Sequence, residues 1–478
     1  MATANGSDDT KIKSSGWNYR LAGIAGGLLL AAGHFYSPLA ILQIIAFLPM
    51  MIVLLRNNGG KADAAVAGLY LSLAYILPQM AYLRMPVIIT LILLVYMVAM
   101  LILLSVFIGA LIRKPAISSS LLIGIAMYAI DYLNCTLLPV WGLAQSFVRP
   151  WSAYPLAIGF ISITGICGVI FVIGSLQALA AHYLTDKSNR KVIICTALLI
   201  LLACAGADYL TLPATSETLK GATIGWVLDE ANDQSNPSTD EGFEKLFLEP
   251  ARKAVAEGAR IITTGELGFY LNNHIRKEIM DKFTSFAKEN NVWLSIGVFD
   301  LSANKNKVLF ISPAGEIAED YTKTYLTPLE PGKKGPGHLK SIIIDGFDIG
   351  TMICQDDNFP QQTTIYGRNG TGLVICPTAD WTTIRRAHLQ AVRARAIECR
   401  YSIVRAAANG ISAIIAPTGE LLAEMDHYTQ GPGYLIADVP ICTDRTLFSK
   451  HGFALPLAIG SLIAIMILSK KGCHIRQP

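Results

Sequence analysis

The sequence predicts two architectures in one chain: an α-helical membrane domain of about eight spans, and an α/β soluble domain set before the last span. Three observations predict this. Of 478 residues, 52% are hydrophobic and only 15% charged, with a mean hydropathy of +0.44, whereas soluble domains carry about 25% charged residues. The depletion is local, since residues 21–210 hold thirteen Asp, Glu, Lys or Arg and the stretch after Pro213 is ordinary in charge. From Ala222 onward, segments of strand and helix character alternate, the mark of an α/β fold. A single soluble globule is excluded, and so is disorder, which requires low hydrophobicity. The net charge of +4 is small and scattered, so no nucleic-acid partner is expected.

A helix crossing ~30 Å of hydrocarbon needs about 20 apolar residues. Windows of that kind fall at about 21–36, 38–55, 65–83, 86–112, 118–140, 154–182 and 192–210, with an eighth at 453–469. Lys11, Lys13 and Arg20 ahead of an apolar run resemble a signal peptide, but further spans follow at once, so an uncleaved first helix is expected. The expected domains are a cytoplasmic tail (1–20), a seven-helix membrane domain (21–213), an external α/β domain (214–452), a last helix (453–469) and a cytoplasmic tail (470–478). Orientation follows from Lys and Arg in the short loops. One set carries Lys11, Lys13, Arg20, Arg56, Lys61, Arg113, Lys114, Lys187, Arg190, Lys191, Lys470, Lys471 and Arg476, and the alternate set only Arg84 and Arg149. Asp131, in the fifth run, is flagged as functional because intramembrane charge is costly. The plainer expectation is a helix end reaching interfacial water, with Trp141 and Trp151 marking the interface.

In the soluble part, strands are expected at 222–228, 260–264, 292–299, 307–312, 341–344, 347–354, 372–376, 402–407, 412–416 and 434–439. Helices are expected at 240–257, 274–290, 360–367 and 383–400. About 230 residues suffice for one well-buried core. None of the nine cysteines belongs to a C-x-x-C pair or a zinc-spaced cluster, so neither metal nor cofactor is expected.

There is no G-x-S-x-G elbow, H-E-x-x-H, Walker loop or strand-linked G-x-G-x-x-G. Three polar residues do stand where α/β enzymes place catalysts. Glu266 follows the 260–264 strand, Lys323 lies in the loop Tyr321-Thr322-Lys323-Thr324-Tyr325-Leu326-Thr327-Pro328, and Cys354 ends the apolar run 349–353, before Gln355-Asp356-Asp357. A thiol there can be a nucleophile if a base and an oxyanion stabiliser converge on it, roles open to Glu and Lys. Cys376 also ends a strand, but Pro377 follows it and has no N–H to offer an oxyanion; it is expected to be structural. In an oxidising compartment Cys376, Cys399 and Cys442 could pair. The apolar run Leu267, Phe269, Tyr270 and Leu271 is either core or a surface that meets an acyl chain.

With these motifs the sequence resembles the nitrilase, or carbon–nitrogen hydrolase, superfamily, over nearly all of 220–440. Ile261-Ile262-Thr263-Thr264-Gly265-Glu266, the Lys323 loop through Glu330, Ile349-Gly350-Thr351-Met352-Ile353-Cys354, Cys376-Pro377-Thr378-Ala379-Asp380-Trp381 and Ala416-Pro417-Thr418-Gly419-Glu420-Leu421 carry the likeness. It implies an α-β-β-α sandwich with a Glu266, Lys323, Cys354 triad. Glu330 would orient Lys323, and the Gln355 backbone N–H would help hold the oxyanion, with Asp356 beside it. An external domain of this family before the last of eight spans is similar to the bacterial apolipoprotein N-acyltransferase branch. Tyr154-Pro155-Leu156-Ala157 and Thr164-Gly165-Ile166-Cys167-Gly168 are also similar to that branch. The resemblance implies a phospholipid acyl donor, a diacylated lipoprotein acceptor and a bacterial inner-membrane location. The chain departs from the family where Gly265 replaces a Pro, where Glu330 lies seven residues after Lys323 where many members have eight, and where Gln355-Asp356 replaces an aromatic followed by Glu. A membrane-tethered amidase is the rival reaction, and a scaffold with a dead nitrilase shell is the non-enzymatic alternative, against which the intact triad argues.

Overall fold

The structure, a computed structural model, describes residues 8–80, 86–137, 141–215, 217–227, 237 and 239–469, with side chains from residue 16. The tails at 1–7 and 470–478, and the loop carrying Arg84, lie outside the described residues. The chain forms two compact units, one of residues 1–138, 145–210 and 453–478, the other of 139–144 and 211–452.

In the first unit, helices run over Asp8–Phe35, Leu48–Arg56, Lys61–Met80, Val87–Leu111, Ala116–Thr136, Cys167–Thr185, Arg190–Leu210 and Ala454–Ser469. Among the described residues, five helical segments are long and apolar enough to cross a membrane: Ser37–Arg56, Val87–Leu111, Ala116–Thr136, Cys167–Thr185 and Arg190–Leu210. Two expected spans are broken rather than continuous. The 38–55 window is a 3₁₀ stretch, Ser37–Ile45, followed by a short α-helix, and 154–182 holds short turns before its helix starts at Cys167. Pro38, Pro49 and Pro155 at the starts of such turns remove N–H groups that a longer helix would need.

Asp131 does not reach water; it is fully buried. Its Oδ2 accepts the Ser146 hydroxyl at 2.7 Å and its Oδ1 the Phe147 N–H at 2.9 Å. Gln43 Nε2 donates to Phe147 O at 3.1 Å while Trp151 Nε1 donates to Gln43 Oε1 at 3.0 Å. These side chains satisfy Phe147 backbone groups just ahead of the short 3₁₀ helix Arg149–Ala153, where no α-helical ladder does so, as chain of this kind in an apolar bundle requires. Asp131 is an anchor for the 145–153 segment, not a helix end at an interface.

The second unit is a four-layer α-β-β-α sandwich. Its strands are β1 (Glu217–Gly225), β2 (Ile261–Thr264), β3 (Phe269–Leu271), β4 (Trp293–Asp300), β5 (Lys305–Ile311), β6 (Ile317–Thr322), β7 (Ser341–Ile344), β8 (Phe347–Thr351), β9 (Leu373–Ile375), β10 (Thr378–Ala379), β11 (Ser402–Arg405), β12 (Ala407–Ala408), β13 (Ile411–Ile415), β14 (Leu421–Asp426) and β15 (Gly433–Ile441). One mixed sheet has the order β15-β1-β2-β4-β5-β6 with β3 on β4, the other β14-β13-β11-β9-β8-β7. Side-chain alternation builds the layers. Ile261, Val308 and Phe310 of the first sheet meet Ile349, Ile375 and Val404 of the second in the central core. Their neighbours point outward: Ile262 and Leu294 pack on Phe243, Phe247 and Phe283, and Val374 and Ile403 on Leu389, Val392 and Ala396.

The outer helices begin and end where local chemistry dictates. The Thr239 hydroxyl accepts the Gly242 N–H at 3.0 Å as an N-cap. The helix Arg276–Asn290 stops at Asn291 with φ 52°, and Arg385–Cys399 stops at Arg400 with φ 58°. Phe269 and Leu271 are core residues of β3, fully buried, while Tyr270 between them is 41% exposed.

Candidate active site

Strand ends deliver the polar residues. Glu266 lies just past β2, and Lys323 directly follows β6. The expected 347–354 strand stops at Thr351, so Cys354 is not a strand terminus; it opens a 3₁₀ turn, Cys354–Asn358, with φ +48°. A non-glycine residue rarely adopts that conformation, and such strain persists only where surrounding structure enforces it. Here Met352 N–H bonds Ile375 O at 3.0 Å and Cys354 N–H bonds Pro377 O at 2.9 Å, tying the chain to the end of β9.

Glu266, Lys323, Glu330 and Cys354 are brought together in the interior, with Glu266 2%, Lys323 1% and Cys354 5% exposed. Lys323 Nζ lies 2.7 Å from Glu266 Oε1, and 2.9 and 2.8 Å from the two Glu330 oxygens. An ammonium has three N–H groups. One serves Glu266 and two the Glu330 carboxylate, so an incoming anion has to take the place of a Glu330 contact. Burial works against the ammonium, but Glu266, Cys354 and Glu330 outweigh it and hold the Lys323 pKa well above its ordinary value. Lys323 is therefore a fixed cation and unsuited to be the base. Glu330 is disfavoured as an anion by burial, yet Lys323 and the Thr327 N–H bring its pKa below the usual carboxylate range.

Glu266 takes three donors: Lys323 and the Asn306 amide on Oε1, the latter at 2.6 Å, and the Ala379 N–H on Oε2 at 2.8 Å. A carboxylate has about four lone-pair sites, so room for one more proton remains. The Cys354 sulfur lies 3.8 Å from Ala379 O. Ala379 thus touches base and thiol from opposite ends of its peptide groups. Burial, then the Glu266 charge, push the Cys354 thiol well above its ordinary pKa, against the pull of Lys323. The resting sulfur is a protonated thiol that needs a base to become a nucleophile.

Asp356 fastens the lysine loop to the cysteine turn. Its Oδ1 accepts the Tyr325 and Thr324 N–H groups at 2.7 and 3.2 Å, and its Oδ2 accepts the Tyr321 hydroxyl and the Ile353 N–H at 2.7 and 3.1 Å. Burial raises its pKa to about 7 against those donors. The Tyr325 ring stacks on Phe359 at 3.8 Å and 10°, a second tie between the same two segments. Gln355 is buried, with Oε1 accepting from Asn358 Nδ2 at 3.2 Å.

Gly265 has a physical reason to be glycine. A Cβ there would lie 2.1 Å from Ala408 N and 2.7 Å from Ala407 C, so β12 passes too close for any side chain. Cys376 is fully buried with its sulfur 3.8 Å from Asp357 Oδ2, and the eight described cysteines are all unpaired, so no bridge joins Cys376, Cys399 and Cys442. Among the described residues, two groups of side chains cluster closely enough to hold a metal ion: Asp131, Cys135 and Cys167, and Cys354, Asp380 and His388.

Asn306 was not singled out in the sequence, although it donates to Glu266 and, at 3.0 Å, to Glu330. A signal existed: Asn306, Val308 and Phe310 share one face of β5, so a polar residue falls on an otherwise apolar, inward-facing row. Residues 141–144, expected in or beside the fifth span, belong to this second unit. Gly142, at φ +53°, lies so close to Asn358 O that a Cβ would be 2.3 Å away, and Trp141 meets Trp381 edge-on at 6.2 Å.

Residues 231–443 match the carbon-nitrogen hydrolase family. An apolipoprotein N-acyltransferase of Geobacter metallireducens is 23% identical over 508 aligned residues, which span 95% of this chain and 96% of that protein. Another, from Neisseria meningitidis serogroup B, is 24% identical and spans 61% of this chain and 63% of its own length. The deaminated glutathione amidase of Homo sapiens is 24% identical over 43% of this chain and 74% of its own. The chain therefore carries a carbon-nitrogen hydrolase domain and resembles the apolipoprotein N-acyltransferases along nearly its whole length.

Proposed function

We propose that this chain transfers a fatty acyl group from a phospholipid, through a thioester on Cys354, to the α-amino group of an N-terminal diacylglyceryl-cysteine on lipoproteins. The observation that carries the reading is the buried Lys323 ammonium held between Glu266 and Glu330 beside the Cys354 thiol, in a chain similar over 95% of its length to an apolipoprotein N-acyltransferase. Glu266 is the general base and takes the thiol proton. The thiolate attacks the ester carbonyl, and a Lys323 N–H that turns from Glu330, with the Gln355 backbone N–H, stabilises the tetrahedral oxyanion. The C–O bond breaks, Glu266 returns the proton to the departing lysophospholipid hydroxyl, and the acyl group stays on sulfur. The acceptor amine then attacks the thioester, Glu266 takes the amine's proton, and collapse releases an amide and restores the thiol. Two half-reactions on one nucleophile give ping-pong kinetics.

Both substrates are lipids, which suits a membrane-embedded enzyme. The location that follows is a bacterial inner membrane, crossed about eight times, with residues 214–452 on the external face and both tails cytoplasmic. The second reading, a membrane-tethered amidase or esterase in which water takes the acyl group, is favoured by the likeness of the soluble unit to an amidase.

One experiment separates them. Purified protein incubated with phospholipid alone should gain one fatty-acyl mass on the Cys354 peptide, cleavable by neutral hydroxylamine. Adding a diacylated lipopeptide should discharge it with formation of an N-acyl product. Cys354→Ala should carry no adduct, whereas Cys376→Ala should still acylate. Persistent transfer in Cys354→Ala would sink the mechanism, and discharge by water as fast as by lipopeptide would favour the hydrolase.

A further inference from the structure

Behind the cysteine turn lies a second buried charge cluster that the acyl-transfer steps do not use. His388, on the helix Arg385–Cys399, meets Asp380 Oδ1 with Nδ1 at 2.6 Å and Asp357 Oδ1 with Nε2 at 3.1 Å. Arg405, at the end of β11, reaches Asp380 Oδ2 at 2.6 Å and comes within 3.2 Å of His388 Nδ1. Asp357 and Arg405 are fully buried, and Asp380 and His388 nearly so.

The partners place this cluster at the junction of the active-site segments. Asp357 sits three residues after Cys354 in the same turn. Asp380 follows Ala379, whose carbonyl faces the Cys354 sulfur and whose N–H holds Glu266. His388 is thus bonded to both the segment that carries the nucleophile and the segment that fixes the base. Ionised carboxylates only accept hydrogen bonds, so an imidazole bonded to two of them must donate from both nitrogens and be charged. The charge count agrees: two aspartates are balanced by Arg405 only if His388 supplies the second positive charge. Among the described residues, other titratable groups beside the cluster are the thiols of Cys354 and Cys376, the Tyr401 phenol and the Tyr428 phenol, which donates to Asp380 O at 3.1 Å. Burial alone would lower the His388 pKa, but Asp357 and Asp380 reverse this and raise it to about 9.

We infer that His388 is a positioning residue that straps the Cys354–Asn358 turn, through Asp357, to the 376–380 segment, through Asp380, and so fixes the Cys354 sulfur relative to Glu266 and Lys323. The inference deepens the proposed function and rests on Cys354 being its nucleophile. Without the strap, the φ +48° turn loses one of the restraints that hold its strain, and the sulfur drifts from the cation that stabilises its thiolate.

The test needs no lipid substrate. Full-length protein in detergent is alkylated with iodoacetamide over a pH series, and the adduct on the Cys354 peptide is counted by mass spectrometry against that on Cys376. If wild-type Cys354 reacts no faster than Cys376, the nucleophile assignment falls, and this inference with it. In His388→Gln, assayed well below its melting temperature, the Cys354 rate at neutral pH should drop about tenfold and its pH midpoint rise about one unit. His388→Gln leaves a buried aspartate unpaired, so the paired variant Asp357→Asn with His388→Gln, which removes one charge of each sign, is the second sample. It should recover melting temperature towards wild type while its Cys354 stays slow. A wild-type rate and midpoint in either folded variant would show that the cluster serves the fold alone, and would overturn the inference.

Discussion

At the scale of single residues, the Lys323 ammonium binds two carboxylates at once, and in the proposed mechanism one of its Glu330 contacts gives way to an oxyanion. Arginine preserves the charge but not this geometry, because its planar fork cannot occupy a site 1% exposed and shaped for a compact ammonium between Glu266 and Glu330. Lys323→Arg should therefore fold and yet lose ~10²–10³ in the rate of Cys354 acylation, the scale of losing an oxyanion donor. Near-normal acylation in that variant would remove Lys323 from the site. Asn306 makes the complementary case. Its amide donates to Glu266 and Glu330 together. Asn306→Asp would turn a donor into a third carboxylate facing two others, and hydrogen bonds to charged groups contribute about 1.5–3 kcal/mol. Acylation should fall by more in Asn306→Asp than in Asn306→Ala. The reverse order would mean that Asn306 fills space rather than holding the carboxylates.

At the scale of elements, the sequence discloses the long, periodic or strongly apolar pieces and hides those defined by contact. The helices at 240–256, 276–290 and 385–399 and the inner strands were legible because burial imprints a period on composition. The three polar residues proposed as a triad also stand out in the sequence, because polar residues after apolar strands are few. β6, β14 and the three-residue β3 were not read: β6 and β14 are half-exposed outer strands with mixed composition, and β3 follows Glu266 within a run that looks like loop. The apolar windows at 38–55 and 154–182 overlap segments long enough to span, Ser37–Arg56 and Cys167–Thr185, but their breaks are hidden because hydropathy measures apolarity and not helix continuity. The Ala379 peptide and the His388 cluster depend on residues far apart in sequence, which no local pattern reports, whereas Asn306 leaves a local trace as a polar residue on the inward face of β5. Gly265 shows how such a contact can be tested. With the Ala407–Ala408 backbone 2.1 Å from where a Cβ would sit, Gly265→Ala must shift β12 or the Glu266 segment. Overpacking of this kind costs about 1–3 kcal/mol. The variant should melt lower and acylate slowly, and an unchanged melting temperature would show that β12 yields freely.

At the scale of the whole molecule, stability should respond to pH through groups whose folded values are displaced in opposite senses. Burial opposes charge on His388, but Asp357 and Asp380 lift its pKa from 6.5 to about 9. Its contribution is fully present below 6.5 and is lost as pH rises through about 9; a shift of that size corresponds to about 3 kcal/mol. Glu330 is displaced the other way, so its contribution is present above 4.5 and is lost as pH falls through its lower folded value. Asp356, raised to about 7 by burial, loses stability as pH rises as well, so melting temperature should peak on the acid side of neutrality and decline on both sides, and His388→Gln should reduce the slope of the alkaline limb only. Orientation is the remaining whole-molecule property, and it decides whether the substrates can meet the site. Lys and Arg crowd one set of loops, thirteen against two, and such a bias predicts that this set faces the cytoplasm. Reporter fusions ending after Lys187 and after Pro213 are separated by the helix Arg190–Leu210 and should report opposite sides, cytoplasmic and external in that order. Changing Lys187, Arg190 and Lys191 to neutral residues removes three of the thirteen and should blur the contrast. If both fusions report the cytoplasm, the catalytic unit faces the wrong compartment for an exported lipoprotein, and the hydrolase reading with a cytoplasmic substrate takes its place.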